Sequence, residues 1–102
     1  MNIPKKIRIG SCDYDVLLTE RDLVANQKES YATIDYSNHE IEINTKLGDS
    51  QLNELSFLHE MFHGIIEERS LAVQDEELIV EGLAKGLHQI IRDNPNIFKE
   101  GE

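Results

Sequence analysis

His59, Glu60 and His63 are the residues of this chain whose types and spacing suit catalysis. They form a His-Glu-x-x-His pattern within the run His59-Glu60-Met61-Phe62-His63. Histidines four residues apart lie on one face of a helix, so both imidazoles can reach one metal ion, and the glutamate between them can accept a proton from water. The pattern therefore predicts a zinc-dependent hydrolase, with His59 and His63 as metal ligands and Glu60 as the catalytic general base.

The pattern requires a helix, and the surrounding sequence predicts one from about Gln51 to Glu68. Apolar residues recur there at helical spacing, namely Leu52, Leu55, Leu58, Phe62, Ile65 and Ile66. Asp49 or Ser50 is available as the N-cap. At about 100° per residue, the two histidines fall at one margin of the apolar stripe and Glu60 falls further round, toward the open side. We therefore expect the metal ligands where the core meets a cleft.

A third protein ligand is needed, because a catalytic zinc site uses three protein ligands and one water. A metzincin would place glycine and histidine at positions 66 and 69, but the chain has Ile66 and Arg69, which excludes that class. A glutamate from a following helix is the other common solution. The sequence predicts such a helix from about Asp75 to Arg92, ended by Pro95.

Three glutamates of this second helix are candidates for the third ligand. Its apolar side comprises Val80, Leu83, Leu87, Ile90 and Ile91. We expect Glu76 in the centre of this side, whereas Glu77 and Glu81 are i, i+4 neighbours at its flank, which is the better position for a cleft. Glu77 is the favoured ligand, with Glu81 as the alternative ligand or as a hydrogen-bond partner that fixes an imidazole. His88 is interpreted as a surface residue.

The elements before the motif helix are predicted to be strands. Residues 6–9 and 14–18 alternate apolar and polar side chains around Gly10-Ser11, and residues 31–36 and 40–44 alternate around a Ser37-Asn38-His39 turn. Residues 19–28 are interpreted as a short helix or loop. The predicted fold is α+β, a single zincin-like domain over residues 1–102. In it, a small antiparallel or mixed sheet packs on the HExxH helix and the C-terminal helix.

Composition excludes several classes of protein. A net charge of −10 on 102 residues argues against direct nucleic-acid binding and leaves room for a basic protein partner. Cys12 is the only cysteine, so no internal disulfide can form. No segment has the length of a membrane span, and no apolar signal segment follows the first six residues. We expect a cytoplasmic protein with no membrane partner.

Several segments together resemble a small phage-type member of the ImmA/IrrE group of zinc metallopeptidases, which are gluzincin-like. They are Gly10, the hairpin over 31–44, the run from Leu58 to His63, the pattern Glu77-x-x-Val80-x-x-Leu83-Ala84-x-x-Leu87, and Asp93-Asn94-Pro95. In that group the acidic residue of a Glu-x-x-Ala-x-x-Phe-Ala helix joins the two motif histidines, which corresponds here to Glu77. The Leu-Met-Pro-like end of that helix is missing from this chain.

The expected activity is endopeptidase cleavage of a specific protein or peptide substrate. Zinc held by His59, His63 and Glu77 is expected to lower the pKa of water to about 7, with Glu60 taking its proton. The substrate is expected along an edge of the second hairpin, with Tyr36 or Tyr31 as a hydrogen-bond donor to the oxyanion. The alternative is a non-catalytic phage binding module of zincin fold that acts on a repressor or host protein.

Overall fold

The computed structural model describes residues 1–25 and 28–99, and these residues form an α+β fold. The strands come first and the helices follow. In chain order they are β1 (Lys6–Ile9), β2 (Cys12–Thr19), β3 (Leu23–Ala25), β4 (Lys28–Ser30), β5 (Ala32–Asp35), β6 (Glu40–Asn44), α1 (Ser50–Glu68) and α2 (Glu76–Asp93). The predicted α+β class is confirmed.

A four-stranded mixed sheet has the strand order β1-β2-β6-β5. The two predicted hairpins, β1–β2 and β5–β6, are each antiparallel. They are joined by a parallel pair, in which Val16 of β2 lies opposite Ile41 of β6. Both of these side chains are buried, as are Tyr14 and Ile43. The alternation of apolar and polar residues therefore gives the sheet one buried face, and β5 lies at one of its edges.

The interpretation of residues 19–28 as a short helix or loop holds for residues 20–22, which form a bend, but is wrong for residues 19, 23–25 and 28, which lie in strands. β3 and β4 form an antiparallel pair in which Leu23 lies opposite Ser30, and residues 26–27 lie outside the described part. Leu23 is 3% exposed. Two adjacent apolar residues, Leu23 and Val24, are a weak signal for a helix, because a short strand can contain the same pair.

Helix α1 packs on the buried face of the sheet. Its N-cap is Asp49, whose side chain accepts a hydrogen bond from the Leu52 N–H at 2.9 Å. Gly64 allows a close approach, since a Cβ atom there would lie 2.8 Å from Ile9 Cδ1 and 3.2 Å from Ile34 Cδ1. The glycine directly after His63 thus lets the motif helix lie close to these two side chains of the sheet.

Helix α2 runs antiparallel to α1 and packs against it through Val80 and Ala84, both fully buried. The predicted apolar side of α2 is partly wrong, because Leu83 and Ile90 are 49% and 40% exposed. A helix that packs mainly on one neighbouring helix covers only a narrow stripe of its own surface. Neither α1 nor α2, the helices in the described residues, is long and apolar enough to cross a membrane.

Candidate metal centre

His59 and His63 bring two imidazole nitrogens together on the side of α1 that faces the start of α2. Their Nε2 atoms are 3.2 Å apart, and their ring planes meet at 60°. The side chains are 17% and 14% exposed, so both rings lie mostly within the protein and reach solvent at one edge. The i, i+4 spacing therefore produces the convergence that the sequence predicts.

Glu77, in the first turn of α2, closes the group. Its Oε1 lies 2.6 Å from His59 Nε2, and its Oε2 lies 3.0 Å from His63 Nε2. The two oxygens of one carboxylate thus face the Nε2 atoms of both imidazoles. The Glu77 side chain is 72% exposed, which places it on the solvent side of the group. The structure brings together the three residues expected as ligands.

The other nitrogen of each imidazole faces a second carboxylate. His59 Nδ1 lies 3.2 Å from Glu81 Oε2, and His63 Nδ1 lies 2.6 Å from Glu76 Oε2. Carboxylates in this position hold the ring in one orientation and keep the proton on Nδ1. Glu81 occupies the position that the sequence offers as its second possibility.

The expected location of Glu76 in the centre of the apolar side of α2 is wrong. Its side chain is 38% exposed and is bonded to His63. The physical reason is that α2 begins at Glu76, and the fully buried stripe begins one turn later at Val80. The position of Glu76 in the first turn is the signal that points to this role, because carboxylates are stabilised near a helix N-terminus.

The donors and acceptors at this site do not balance without a cation. When each Nδ1–H donates to its carboxylate, both Nε2 atoms present lone pairs to each other and to Glu77. Three acceptors then converge with no hydrogen atom between them. Two nitrogens bound to one tetrahedral zinc at about 2.0–2.1 Å would be about 3.3 Å apart, close to the observed 3.2 Å. The residues present therefore fit a metal ion.

In the metal-free protein the same surroundings favour a proton on His63. Burial lowers the pKa of His63, but the hydrogen bond with Glu76 and the negative charges of Glu60, Glu77 and Glu76 outweigh it, so the net pKa is raised. The site therefore favours a positive charge at the point where the imidazoles meet.

Glu60 is buried, contrary to the expectation that it lies toward the open side of α1. The residue is 7% exposed, and its Oε2 has no hydrogen-bond partner. Gly64, one turn further along α1, faces Ile9 and Ile34 of the sheet, so this side of the helix is covered, which the helical wheel alone does not reveal. A Glu60 carboxylate oxygen and the nearer nitrogens of His59 and His63 all lie within 4.8 Å of one another. Burial raises the pKa of Glu60, although charge on the two imidazoles acts in the opposite direction.

Tyr36 lies beside this group, whereas Tyr31 does not. The Tyr36 hydroxyl donates to the carbonyl oxygen of His63 at 3.4 Å. Burial, together with the charges of Glu76, Glu67 and Glu60, raises the pKa of Tyr36 to about 12, so the phenol keeps its proton. Tyr31 is 49% exposed and precedes β5, while Tyr36 follows it.

The remaining histidines and the cysteine lie elsewhere. His39 occupies the β5–β6 turn in a left-handed conformation, with φ of 54°, and its ring packs on Tyr14. The interpretation of His88 as a surface residue is wrong. It is 8% exposed, and its Nε2 lies 3.0 Å from Glu54 Oε1. Cys12 is half-buried in β2, and a hydrogen bond with Glu68 raises the pKa of its thiol.

No known protein-family model, no characterised protein and no solved structure matches this chain significantly. The resemblance to the ImmA/IrrE group therefore stays a prediction. What the structure itself supplies is a group of histidine and glutamate side chains that can hold a metal ion. The function has to be argued from the chemistry of that group.

Proposed function

We propose that the protein is a zinc-dependent peptidase of the gluzincin-like kind, as the resemblance to the ImmA/IrrE group implies. The observation that carries the proposal is the meeting of His59 Nε2, His63 Nε2 and the Glu77 carboxylate, each within 3.2 Å of the other two. Two imidazoles and one carboxylate form one of the common ligand sets of catalytic zinc.

His59, His63 and Glu77 would hold the metal, while Glu81 and Glu76 orient the two rings from behind. When bound, zinc supplies a Lewis acid that polarises a carbonyl and lowers the pKa of water. Glu77, the most exposed of the three ligands, lies on the side from which a metal enters. A site with three protein ligands leaves a position for the substrate, which favours a catalytic role over a structural one.

Glu60 is the proton acceptor in this proposal. Its Oε2 is buried and unpartnered beside the histidines, so it is available to take a proton from the attacking water. The raised pKa of Glu60 suits this task, because a carboxylate that holds its proton more firmly can carry it to the leaving amine. The same burial makes the charged form costly, which is a common property of catalytic groups.

The substrate in this proposal is a peptide in extended conformation along β5. This strand lies at the edge of the sheet and packs on α1, so the backbone of a peptide can be recognised beside the motif helix. Tyr36 follows β5 directly and holds its hydroxyl proton beside His63, so it is the proposed donor to the developing oxyanion.

The experiment that tests the proposal is the Glu60→Gln substitution in the zinc-loaded protein. The Glu60→Gln variant is first used to capture a protein partner. The captured partner is then incubated with zinc-loaded wild type and with zinc-loaded Glu60→Gln. Wild type should cut the captured partner, and loss of the general base should reduce the rate by about 10²–10⁴-fold while zinc content is retained. Glu20→Gln is the matched control, because it removes the same charge from an exposed residue beyond β2.

Two outcomes would contradict the proposal. Equal cleavage by wild type and Glu60→Gln would remove Glu60 from the chemistry. A captured partner that metal-loaded wild type leaves intact would support the alternative, a zincin-like binding module that does not cleave.

A further inference from the structure

The surroundings of the candidate metal centre carry an excess of negative charge. We call the five carboxylates around it, those of Glu60, Glu67, Glu76, Glu77 and Glu81, the acidic cluster. Lys85 pairs with Glu81 at 3.2 Å. The other ion pairs of lysine and arginine in the described residues involve carboxylates outside the cluster. Even a bound divalent metal would leave the cluster negative.

Glu67 extends the acidic cluster beyond the metal centre. It lies four residues after His63 and seven after Glu60, and therefore on the same side of α1. Its side chain is exposed, and its charge, with those of Glu76 and Glu60, raises the pKa of Tyr36. Glu67 belongs to α1, Glu76 to α2 and Tyr36 to the turn after β5, and the last two both contact His63. All three therefore lie on the side of the metal centre nearest the C-terminus of α1.

An independent observation shows that the cluster lacks a donor. Glu60 Oε2 is buried without a hydrogen-bond partner, although buried carboxylate oxygens are normally paired. The cluster therefore combines exposed carboxylates at its rim with an unsatisfied carboxylate oxygen at its base. Both features favour a ligand that brings positive charge and N–H donors.

We propose that the protein recognises a lysine or arginine side chain of its peptide substrate between Glu67 and Glu76. This inference rests on the proposed peptidase function and names its substrate class. Four residues of helix advance about 6 Å, and an extended peptide advances about 3.3 Å per residue. The basic residue therefore lies about two residues from the scissile bond, on the side toward the C-terminal end of α1.

The test uses zinc-loaded protein and a synthetic peptide library with a randomised centre, followed by matched peptides. Mass spectrometry should show lysine and arginine enriched about two residues from the cleaved bond, on one side of it. Peptides that differ only at that position should be cleaved in the order Lys, Gln, Glu. Glu67→Gln should reduce the Lys-to-Gln ratio of kcat/KM by about two- to fivefold, as expected for one exposed ion pair. Glu20→Gln should leave this ratio unchanged.

A binding measurement separates this inference from the proposed function. Fluorescence anisotropy of the same labelled peptides on zinc-loaded Glu60→Gln should give the same order of affinity, and added salt should weaken the preference. The combination of no cleavage with charge-ordered binding that Glu67→Gln weakens would contradict the peptidase and support the basic site. Cleavage without charge preference, a preference unchanged by Glu67→Gln, or no binding of any peptide would overturn the basic site.

Discussion

The interface between α1 and α2 contains two histidine–glutamate groups, and they differ in a way that separates a candidate metal centre from a structural pair. At one end, both nitrogens of His59 and of His63 face carboxylates. At the other end, His88 of α2 meets Glu54 of α1 through a single nitrogen, at 3.0 Å. The residue types, the two helices and the burial of the imidazoles are similar at the two ends, whereas Glu54 is less exposed than the carboxylates that face His59 and His63.

The difference teaches that convergence of lone pairs, rather than the presence of histidine and glutamate, marks a metal centre. At the His88 end one imidazole and one carboxylate satisfy each other as donor and acceptor. At the His59 end three acceptors meet, and only a cation satisfies them. Each of the following predictions tests this distinction, beginning with the largest expected effect.

Zinc stoichiometry should depend on one end of the interface only. Wild type should bind about one zinc per chain, and His59→Ala/His63→Ala should bind none. His88→Ala is the matched control and should keep the wild-type content, because its imidazole converges with no other ligand. Elemental analysis of purified protein gives the answer. Zinc retained by the double variant would place the metal elsewhere.

The three carboxylates of α2 should differ in their effect on zinc affinity. Glu77→Gln should cause the largest loss, because Glu77 alone faces both Nε2 atoms. Glu76→Gln and Glu81→Gln should each weaken binding by about 10–100-fold, as expected for groups that orient a ligating imidazole. Competition against a chromophoric chelator measures all three. A larger loss for Glu81→Gln than for Glu77→Gln would transfer the ligand role to Glu81.

Stability should respond at the His88 end without any change in metal binding. His88→Ala removes the closer partner of Glu54 Oε1, at 3.0 Å, and leaves only the N-terminal ammonium of Met1, at 3.7 Å. We expect a loss of about 1 kcal/mol, as is typical for one hydrogen bond. Urea unfolding of the zinc-free protein measures this loss without a contribution from the metal. An unchanged free energy of unfolding would mean that the pair contributes nothing to the interface.

The smallest effect is a pH dependence of the zinc-free protein. The pKa of His63 is raised in the folded state, so its contribution to stability is fully present below the unfolded value of about 6.5. This contribution is lost as the pH rises through the raised pKa. The difference in unfolding free energy between wild type and His63→Gln should therefore shrink as pH increases above neutrality. A difference that grows with pH would contradict the raised pKa.

The sequence was sufficient for features that depend on local spacing. Alternation predicted both hairpins of the sheet, and periodicity predicted α1 with Asp49 as one of two candidate caps. The i, i+4 rule predicted that His59 and His63 share a face. These features depend on residues close together in the chain, so their geometry follows from the helix or strand itself.

Features that depend on a neighbouring element were predicted poorly. A helical wheel gives the direction of Glu60 from the α1 axis but does not show that the sheet covers that direction. The position of His88 on α2 likewise suggests exposure, but its burial depends on contact with Glu54 of α1. The parallel pairing of β2 with β6 joins two segments that no turn connects, so no local pattern could reveal it.

Gly64 limits how closely α1 can lie on the sheet. The candidate metal ligands belong to α1 and α2, whereas β5 and Tyr36 belong to the layer beneath. A Cβ atom at position 64 would meet the Cδ1 ends of Ile9 and Ile34, so either these side chains would turn aside or α1 would move outward. An outward movement would carry His59 and His63 together, because both belong to one helix, and would lengthen their distance from Tyr36. Position 64 therefore couples the packing of the core to the spacing between the histidines and the sheet.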